Sequence, residues 1–566
     1  MWGRSPAGCG AVTVLDLEDL ESGRELRARV AVVGAGAAGI TLARALAARG
    51  LEVVVLEGGG SRPEAATQAL HDLVPVGYPL RPGHVNRARE FGGSCNLWAG
   101  RCMRLTPFDL ERRPWVAEVG WPFGWETLAP WLREAARLLG LPDPVHFDLA
   151  AHGGRVSADE RRLLAAGPFA PILSLWARRP RRFARAHRRE LAASRRITVV
   201  LHANATELET DAEGSRVVAV RARSLSGREL RVVAEVVVLA CGGLEVPRLL
   251  LLSRRARPHG LGNEHDLVGR FFMDHPRTAY GRVTVRAGVA LPLTRGWPLA
   301  DGRVQLGFAL PPDLQAREGL LHHYATLEEE HSAYTERTYR TAVEAGKVLL
   351  RRGHAGSRLD LGRIRRAARL DSLIYLLPPK EILPFPLWRA WRVTRSRLET
   401  RRRARRYVVV YFCEQPPSAE SRVTLDDSRD ALGLPRIRLD WRIPDPVHES
   451  LWRLQDHLAR ALRTTGLGEL EPGEGIPRYT DASHHLGTTR MGATPREGVV
   501  DPELRVWSVA NLYVASSAVF PTGGHANPTL TLLALTLRLA DHLARRLAPA
   551  AVATATGGGR PQPAMP

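Results

Sequence analysis

Two short segments near the end of the chain hold side chains that can manage a proton. Ser483-His484-His485-Leu486-Gly487-Thr488-Thr489-Arg490-Met491-Gly492 is polar, glycine-flanked and carries adjacent histidines. A neutral imidazole titrates close to working pH, so either ring suits removal of a proton from a hydroxyl. Adjacent side chains of an extended segment point to opposite sides, so only one of His484 and His485 can face a given site. Further on, His525-Ala526-Asn527-Pro528-Thr529-Leu530-Thr531 opens an apolar-periodic run. Asn is a preferred helix N-cap and Pro is favoured at the first helical position, so this pair starts a helix. The Asn527 amide can also hold a substrate oxygen, and the two roles are compatible.

A second constellation lies near the N-terminus. Val30 to Gly39 (VAVVGAGAAG) carries Gly34, Gly36 and Gly39, and Glu57 closes the next apolar run, LEVVVLE. Gly34 permits a tight strand-to-helix reversal, Gly36 lets the backbone approach a pyrophosphate, and Gly39 lets helix and strand pack closely. The helix N-terminus then offers free N–H groups to a diphosphate, and Glu57 is placed for a ribose diol. FAD and NAD both satisfy this pattern.

Regular elements must position these groups. Arg29–Val33 reads as a strand, Ile40–Arg49 as a helix and Leu51–Glu57 as the next strand, which together make a strand–helix–strand unit. Helical periodicity resumes over Trp125–Leu139. Strands follow from Ile197, over Val217–Leu225 and over Glu235–Ala240. Gly242-Gly243 leads into a helix over Val246–Ser253, and a last helix runs from Pro528 to about Leu547.

Bulk composition narrows the class. A chain of 566 residues accommodates two or more cores, and 44% apolar with 25% charged residues is ordinary for a globular protein. The net charge of +21 comes from arginine, since Lys347 and Lys380 are the two lysines. These arginines are spread along the chain without a nucleic-acid-binding motif, so no nucleic acid is expected as a partner. Cys9, Cys95, Cys102, Cys241 and Cys413 form no CxxC pair, which fits a reducing compartment and predicts no metal site. No secretory signal and no membrane-spanning run is legible, so the expected location is cytoplasmic.

The chain resembles the glucose–methanol–choline (GMC) family of FAD-dependent oxidoreductases along nearly its whole length. The resemblance rests on GAGAAG with Glu57, FGGSCNLWAGRC (91–102), VVLACGGLEVPRLLLLS (237–253), LVGRFFMDHP (267–276), SRVTL (421–425) and HHLGTTRMG. VVDPELRVWSVANLYVASSAVFPT (499–522) and NPTLTLLALTLRLADHL (527–543) extend it in family order. In motif style it is nearest the pyranose-oxidase and cholesterol-oxidase branches. The implied fold is α/β plus α+β. A Rossmann-like FAD-binding domain, discontinuous in sequence, joins a substrate-binding domain built on a mostly antiparallel sheet plus helices.

The resemblance also implies roles. It selects His484 over His485 as the base and Asn527 as its partner, with hydride transfer from the substrate carbon to flavin N5. It assigns cofactor contacts to Gly92, Gly93, Ser94, Asn96, Gly242, Ser516, Pro528 and Thr529, beside Gly34, Gly36, Gly39 and Glu57. The positive end of the last helix is expected to face the flavin pyrimidine. His525 is a further candidate for touching substrate. Leu97 stands where related pyranose oxidases carry a flavin-linking histidine, so FAD is expected to bind noncovalently. Ser516 replaces an aspartate common in relatives. The expected substrate is a small-molecule alcohol, namely a sugar, glycoside or polyol, with O2, a quinone or another molecule as electron acceptor. The alternatives are a lipid or sterol-like alcohol, flavin-dependent lyase chemistry, and a non-catalytic flavoprotein or basic binding module.

The expected organisation is a lead-in (1–28) and an FAD-binding domain from 29–120, 195–276 and 478–548. A helical connection (121–194), a substrate-binding domain (277–477) and a disordered tail (549–566) complete it. The Arg-rich stretch 356–406, with Trp388 and Trp391, is read as a solvated helical excursion. The alternative is a peripheral contact with an anionic membrane or an acidic protein.

Overall fold

A computed structural model describes residues 14–81, 83–330 and 405–548. Three sheets organise them. The first is centred on the strand Arg24–Val33, whose last four residues are at most 5% exposed. A continuous apolar run of this kind needs a sheet covered on both faces. The strand pairs in parallel with Val53–Leu56 on one side and Glu229–Leu239 on the other. Val53–Leu56 pairs with Ile197–Leu201, which pairs in turn with Val14–Asp16, all in parallel. Glu229–Leu239 divides its second edge between antiparallel Val217–Arg223 and parallel Leu512–Val514. The sheet is therefore Rossmann-like and drawn from distant parts of the chain.

The helices Ala37–Ala47 and Pro528–Arg546 pack against each other beside this sheet. The second of these buries Leu530, Leu533, Ala534 and Leu539 at helical spacing. Each buried leucine contributes about 1.5–3 kcal/mol, so this stripe binds the end of the chain firmly to its beginning.

The second sheet runs in the order Gly468–Glu471, Arg277–Val285, Arg405–Phe412, Tyr324–Glu329, Gly302–Ala309, Ala170–Ala177 and Arg101–Cys102. Every pairing described in it is antiparallel. One face buries Val283, Leu327 and Tyr411 under the helix Pro446–Thr465. The other turns Leu306, Tyr324 and Phe412 toward the nucleotide side of the molecule. A small third sheet joins Arg422–Arg429, Pro435–Asp440 and Leu73–Pro75.

Two expectations change. Part of the lead-in is structural: Val14–Asp16 forms an edge strand, and the central strand begins at Arg24. Charged residues alternate along Arg24–Arg29 where one face meets solvent, which hides the strand from an apolar-run reading. The connection 121–194 is not wholly helical, because Ala170–Ala177 crosses into the second sheet. Its Ile-Leu-Ser-Leu-Trp run is short and bounded by Gly167-Pro168 and Pro180, a strand pattern more than a helix pattern. The expected excursion lies outside the described residues, except that Arg405 and Arg406 open a strand. The tail 549–566 also lies outside them.

Candidate active site

Local pairing places the two histidine-bearing segments side by side. Met273 pairs antiparallel with Leu486, and continuing that register sets His275 opposite His484. Arg277 pairs with Thr480, so the 480s strand accommodates extra residues, and Ser483 takes φ +63° in that bulge. Asp274 fixes the join. Its Oδ1 accepts from the backbone N–H of His275 (2.6 Å) and Ala482 (2.9 Å), and its Oδ2 from that of His484 (3.2 Å).

The hydrogen bonds then assign the protons. The Gly524 carbonyl, which only accepts, lies 3.0 Å from His275 Nε2, so that nitrogen carries hydrogen. Burial pushes the His275 imidazole down to about 4, which keeps the ring neutral and leaves a lone pair on Nδ1. His484 Nδ1 stands 2.9 Å from that lone pair and donates to it. Burial, then the neighbouring His275, His485 and two arginines, hold the His484 imidazole well below its ordinary range. The neutral ring therefore presents an unprotonated Nε2, and Asn527 Nδ2 donates to it at 3.1 Å.

Asn527 opens the helix Pro528–Arg546 but makes no side-chain capping bond. Its amide is turned to His484 instead, and its Oδ1 is buried without a described partner. His485 points the opposite way, 7% exposed, with its ring 5.9 Å from that of Phe272.

The loop carrying Asn527 is tied down from beneath. Glu414 accepts from the Gly524 N–H (3.1 Å) and the His322 N–H (2.8 Å), and meets Arg113 in a bidentate pair at 2.6 and 2.9 Å. Burial raises the Glu414 carboxyl, but Arg113 outweighs it and the net shift is downward. His322 Nδ1 lies 2.7 Å from Asp109 Oδ1, while Asp109 Oδ2 accepts from the Thr106 N–H and hydroxyl. His525 stands beside the same carboxylate, its Nδ1 3.7 Å from Asp109 Oδ2. Its ring is 1% exposed and packs 4.3 Å from the His322 ring, so it supports the loop from below.

The glycine-rich cradle fits a dinucleotide. Gly34 has φ +106°, and a Cβ there would stand 2.7 Å from the Ala240 carbonyl oxygen. Gly92 and Gly93 take φ +105° and +60°, and a Cβ on Gly93 would stand 2.8 Å from Gly36 Cα. Glu57 accepts from the N–H groups of Ala35 and Gly59, both at 3.0 Å, and burial pushes its carboxyl up to about 7. A cleft of about 430 Å³ opens here, lined by Arg62, Phe91, Asn96, Arg182, Arg185 and Arg188. A basic cleft beside an uncapped helix N-terminus suits a diphosphate. The four arginines were missed in the sequence, although the run from Arg178 to Arg189 was a signal available for Arg182, Arg185 and Arg188.

The other expected contacts are distributed around these two centres. Ser94 Oγ accepts from Ala88 N–H, and Asn96 Nδ2 donates to Glu90 and to the Phe91 carbonyl. Gly242 (φ +89°) opens the helix Gly242–Leu252, and the next residue, Gly243, abuts His485, where a Cβ would meet its carbonyl at 2.3 Å. Gly39 abuts Gly34, Ser516 accepts from Ala518 N–H, and Pro528 and Thr529 form the first turn of the last helix. The nucleotide cradle and the histidine loop are thus joined through the 242–243 turn.

Residues 417–536 match the family described as GMC oxidoreductase, and residues 29–268 match FAD dependent oxidoreductase. The chain is a GMC-type FAD-dependent oxidoreductase. This GMC oxidoreductase is 31% identical to the fructose dehydrogenase large subunit of Gluconobacter japonicus over 59% of its own length, a match spanning about half (51%) of that relative. It is 27% identical to paromamine 6'-oxidase of Streptomyces fradiae, covering 91% of each chain. Its fold matches a formate oxidase variant from Aspergillus oryzae with a TM-score of 0.53 at 19% identity, covering 93% of this chain and 99% of the other. Among the described residues, no helix of the GMC oxidoreductase is long and apolar enough to cross a membrane.

Proposed function

We propose that this enzyme oxidises an alcohol to a carbonyl with His484 as the base and Asn527 as its partner. The observation that carries the reading is the 3.1 Å contact between Asn527 Nδ2 and a His484 Nε2 left unprotonated by its hydrogen bond to His275. A substrate hydroxyl entering between them donates to Nε2 and accepts from the amide. His484 takes the hydroxyl proton, and Asn527 donates to the oxygen as negative charge grows on it. FAD, when bound, supplies the acceptor for the hydride that leaves the same carbon. The residues that would hold it noncovalently are Gly34, Gly36, Gly39, Glu57, Gly92, Gly93, Ser94, Asn96, Gly242, Ser516, Pro528 and Thr529, with Arg62 and Arg182 added by the cleft.

The substrate class proposed is a sugar, glycoside or polyol, supported by relatives named for fructose and paromamine. The acceptor is O2, a quinone or another small oxidant, and the location is cytoplasmic. An anaerobic screen of sugars, polyols, sterols and simple alcohols tests this by bleaching of the flavin band. His484→Ala should lower the bleaching rate by ~10²-fold or more with FAD retained, and His485→Ala should do much less. Equal losses in the two variants overturn the assignment of the base.

A further inference from the structure

The wall facing the histidine pair carries more positive charge than it needs for its own structure. Arg277 follows His275 by two residues, so the two side chains leave the same side of an extended segment. Its guanidinium lies 5.1 Å from the Phe412 ring centroid. Arg101 stands over the same ring at 4.6 Å and also meets Tyr324, whose ring is 6.3 Å from that of His525. These cations therefore line the side of the second sheet that looks toward the Asn527 loop.

Charge accounting separates the arginines of this wall. Arg81 is paired with Asp481, at 2.9 Å between Nη2 and Oδ1. Arg101 lies 3.9 Å from Glu328 and donates to the Tyr324 hydroxyl. Arg277 has neither: no described group hydrogen-bonds or ion-pairs with its guanidinium, and the residue is exposed. Desolvation by the neighbouring protein and then the charge of Arg101 lower its pKa. Stacking on Phe412 holds the guanidinium plane and leaves its N–H edge free.

We propose that Arg277 is the recognition point for an anionic group, a carboxylate or a phosphate, on the alcohol that His484 deprotonates. A guanidinium edge matches both oxyanions through paired hydrogen bonds. Arg101, held over Trp176, Tyr324 and Phe412, adds a second positive charge behind it. The inference rests on the proposed alcohol oxidation for the identity of the ligand, but the anion subsite has its own readout.

The test is binding to the FAD-loaded enzyme, followed by calorimetry and by flavin difference spectra. The probes are D-glucose, D-glucuronate and D-glucose 6-phosphate, which share a ring and differ in charge and in its source. The expected result is at least tenfold tighter binding of one anionic probe than of glucose, and whichever anion wins names the group. In Arg277→Gln that preference should fall at least tenfold, while Arg277→Lys retains part of it. Raising the salt concentration should weaken the anion preference in the unaltered enzyme, a readout that needs no variant to fold. Equal affinity for all three probes, or a preference that survives Arg277→Gln, overturns the proposal. So does an Arg277→Gln enzyme with a shifted flavin potential and an unchanged preference, which would assign the cation to the cofactor. Failure of every alcohol to bleach the flavin overturns the proposed oxidation and leaves the binding comparison standing.

Discussion

His275 Nδ1 and His484 Nδ1 face each other at 2.9 Å, with the Gly524 carbonyl on the far side of His275. Two neutral rings meeting through like nitrogens can share only one hydrogen. The carbonyl decides which ring supplies it, so a backbone oxygen sets the basic nitrogen of His484. His275 is thus a positioning residue. His275→Leu should leave FAD bound and slow anaerobic flavin reduction by ~10²-fold, because His484 loses the acceptor that fixes its tautomer. His275→Asn, which keeps an acceptor oxygen, should recover part of the rate. Equal rates in the Leu and Asn variants would show that the ring acts only by filling space.

The pH profile should carry the mark of a depressed imidazole. A lowered pKa keeps His484 unprotonated, and hence competent, at acidities where an ordinary histidine is already charged. The acidic limb of kcat/KM should therefore fall below pH 6.5, the usual histidine range. Rates of flavin reduction measured from pH 4 to 9 check this, and a limb near or above 6.5 contradicts the buried, neutral base.

Gly93→Ala should yield protein that takes up little or no FAD. The new Cβ would stand 2.8 Å from Gly36 Cα, and φ +60° disfavours any side chain there. The two loops that flank the cradle must then separate. The ratio of flavin to protein absorbance after purification reads the outcome directly, with Gly153→Ala, whose Cβ meets nothing within 4 Å, as the control.

Glu414→Ala should be among the most damaging single changes away from the proton-handling pair. It strands Arg113, whose side chain is 1% exposed, and frees the N–H groups of Gly524 and His322. Breaking such a buried pair costs about 3–5 kcal/mol. Chemical denaturation should show that loss, and Asn527 should lose its position with it. Replacing both partners together, Arg113→Met with Glu414→Leu, should recover part of the stability but not the rate.

What the sequence discloses here is what short-range chemistry determines. The turn Gly34 to Gly39, the Glu57 that follows and the Asn527-Pro528 helix start each depend on neighbours within a few dozen residues, and all are found where expected. His275 lies within FFMDHP, yet its role is not legible there, because it arises from a pairing with a segment some two hundred residues away. The same holds for Glu414, whose four contacts come from three separate parts of the chain. Helix capping offered a local reason for Asn527, and only the tertiary contact with His484 shows the amide turned elsewhere. The strand Ala170–Ala177 differs: its local pattern is that of a strand, and only its partner, Gly302–Ala309, lies far ahead in sequence.

The strand Leu512–Val514 and the helix Pro528–Arg546 complete a sheet and a layer begun by Arg24–Val33 and Ala37–Ala47. During synthesis the glycine turn leaves the ribosome long before its covering helix Pro528–Arg546. Through most of translation the nascent chain therefore holds a cofactor cradle whose helix Ala37–Ala47 lacks its packing partner, a period in which uncovered apolar surface invites aggregation. Ribosome arrest shortly before Leu512 should give a species that chaperones hold and flavin does not enter. Release of the last turns of the final helix would then be the event that commits the chain to its holoenzyme form.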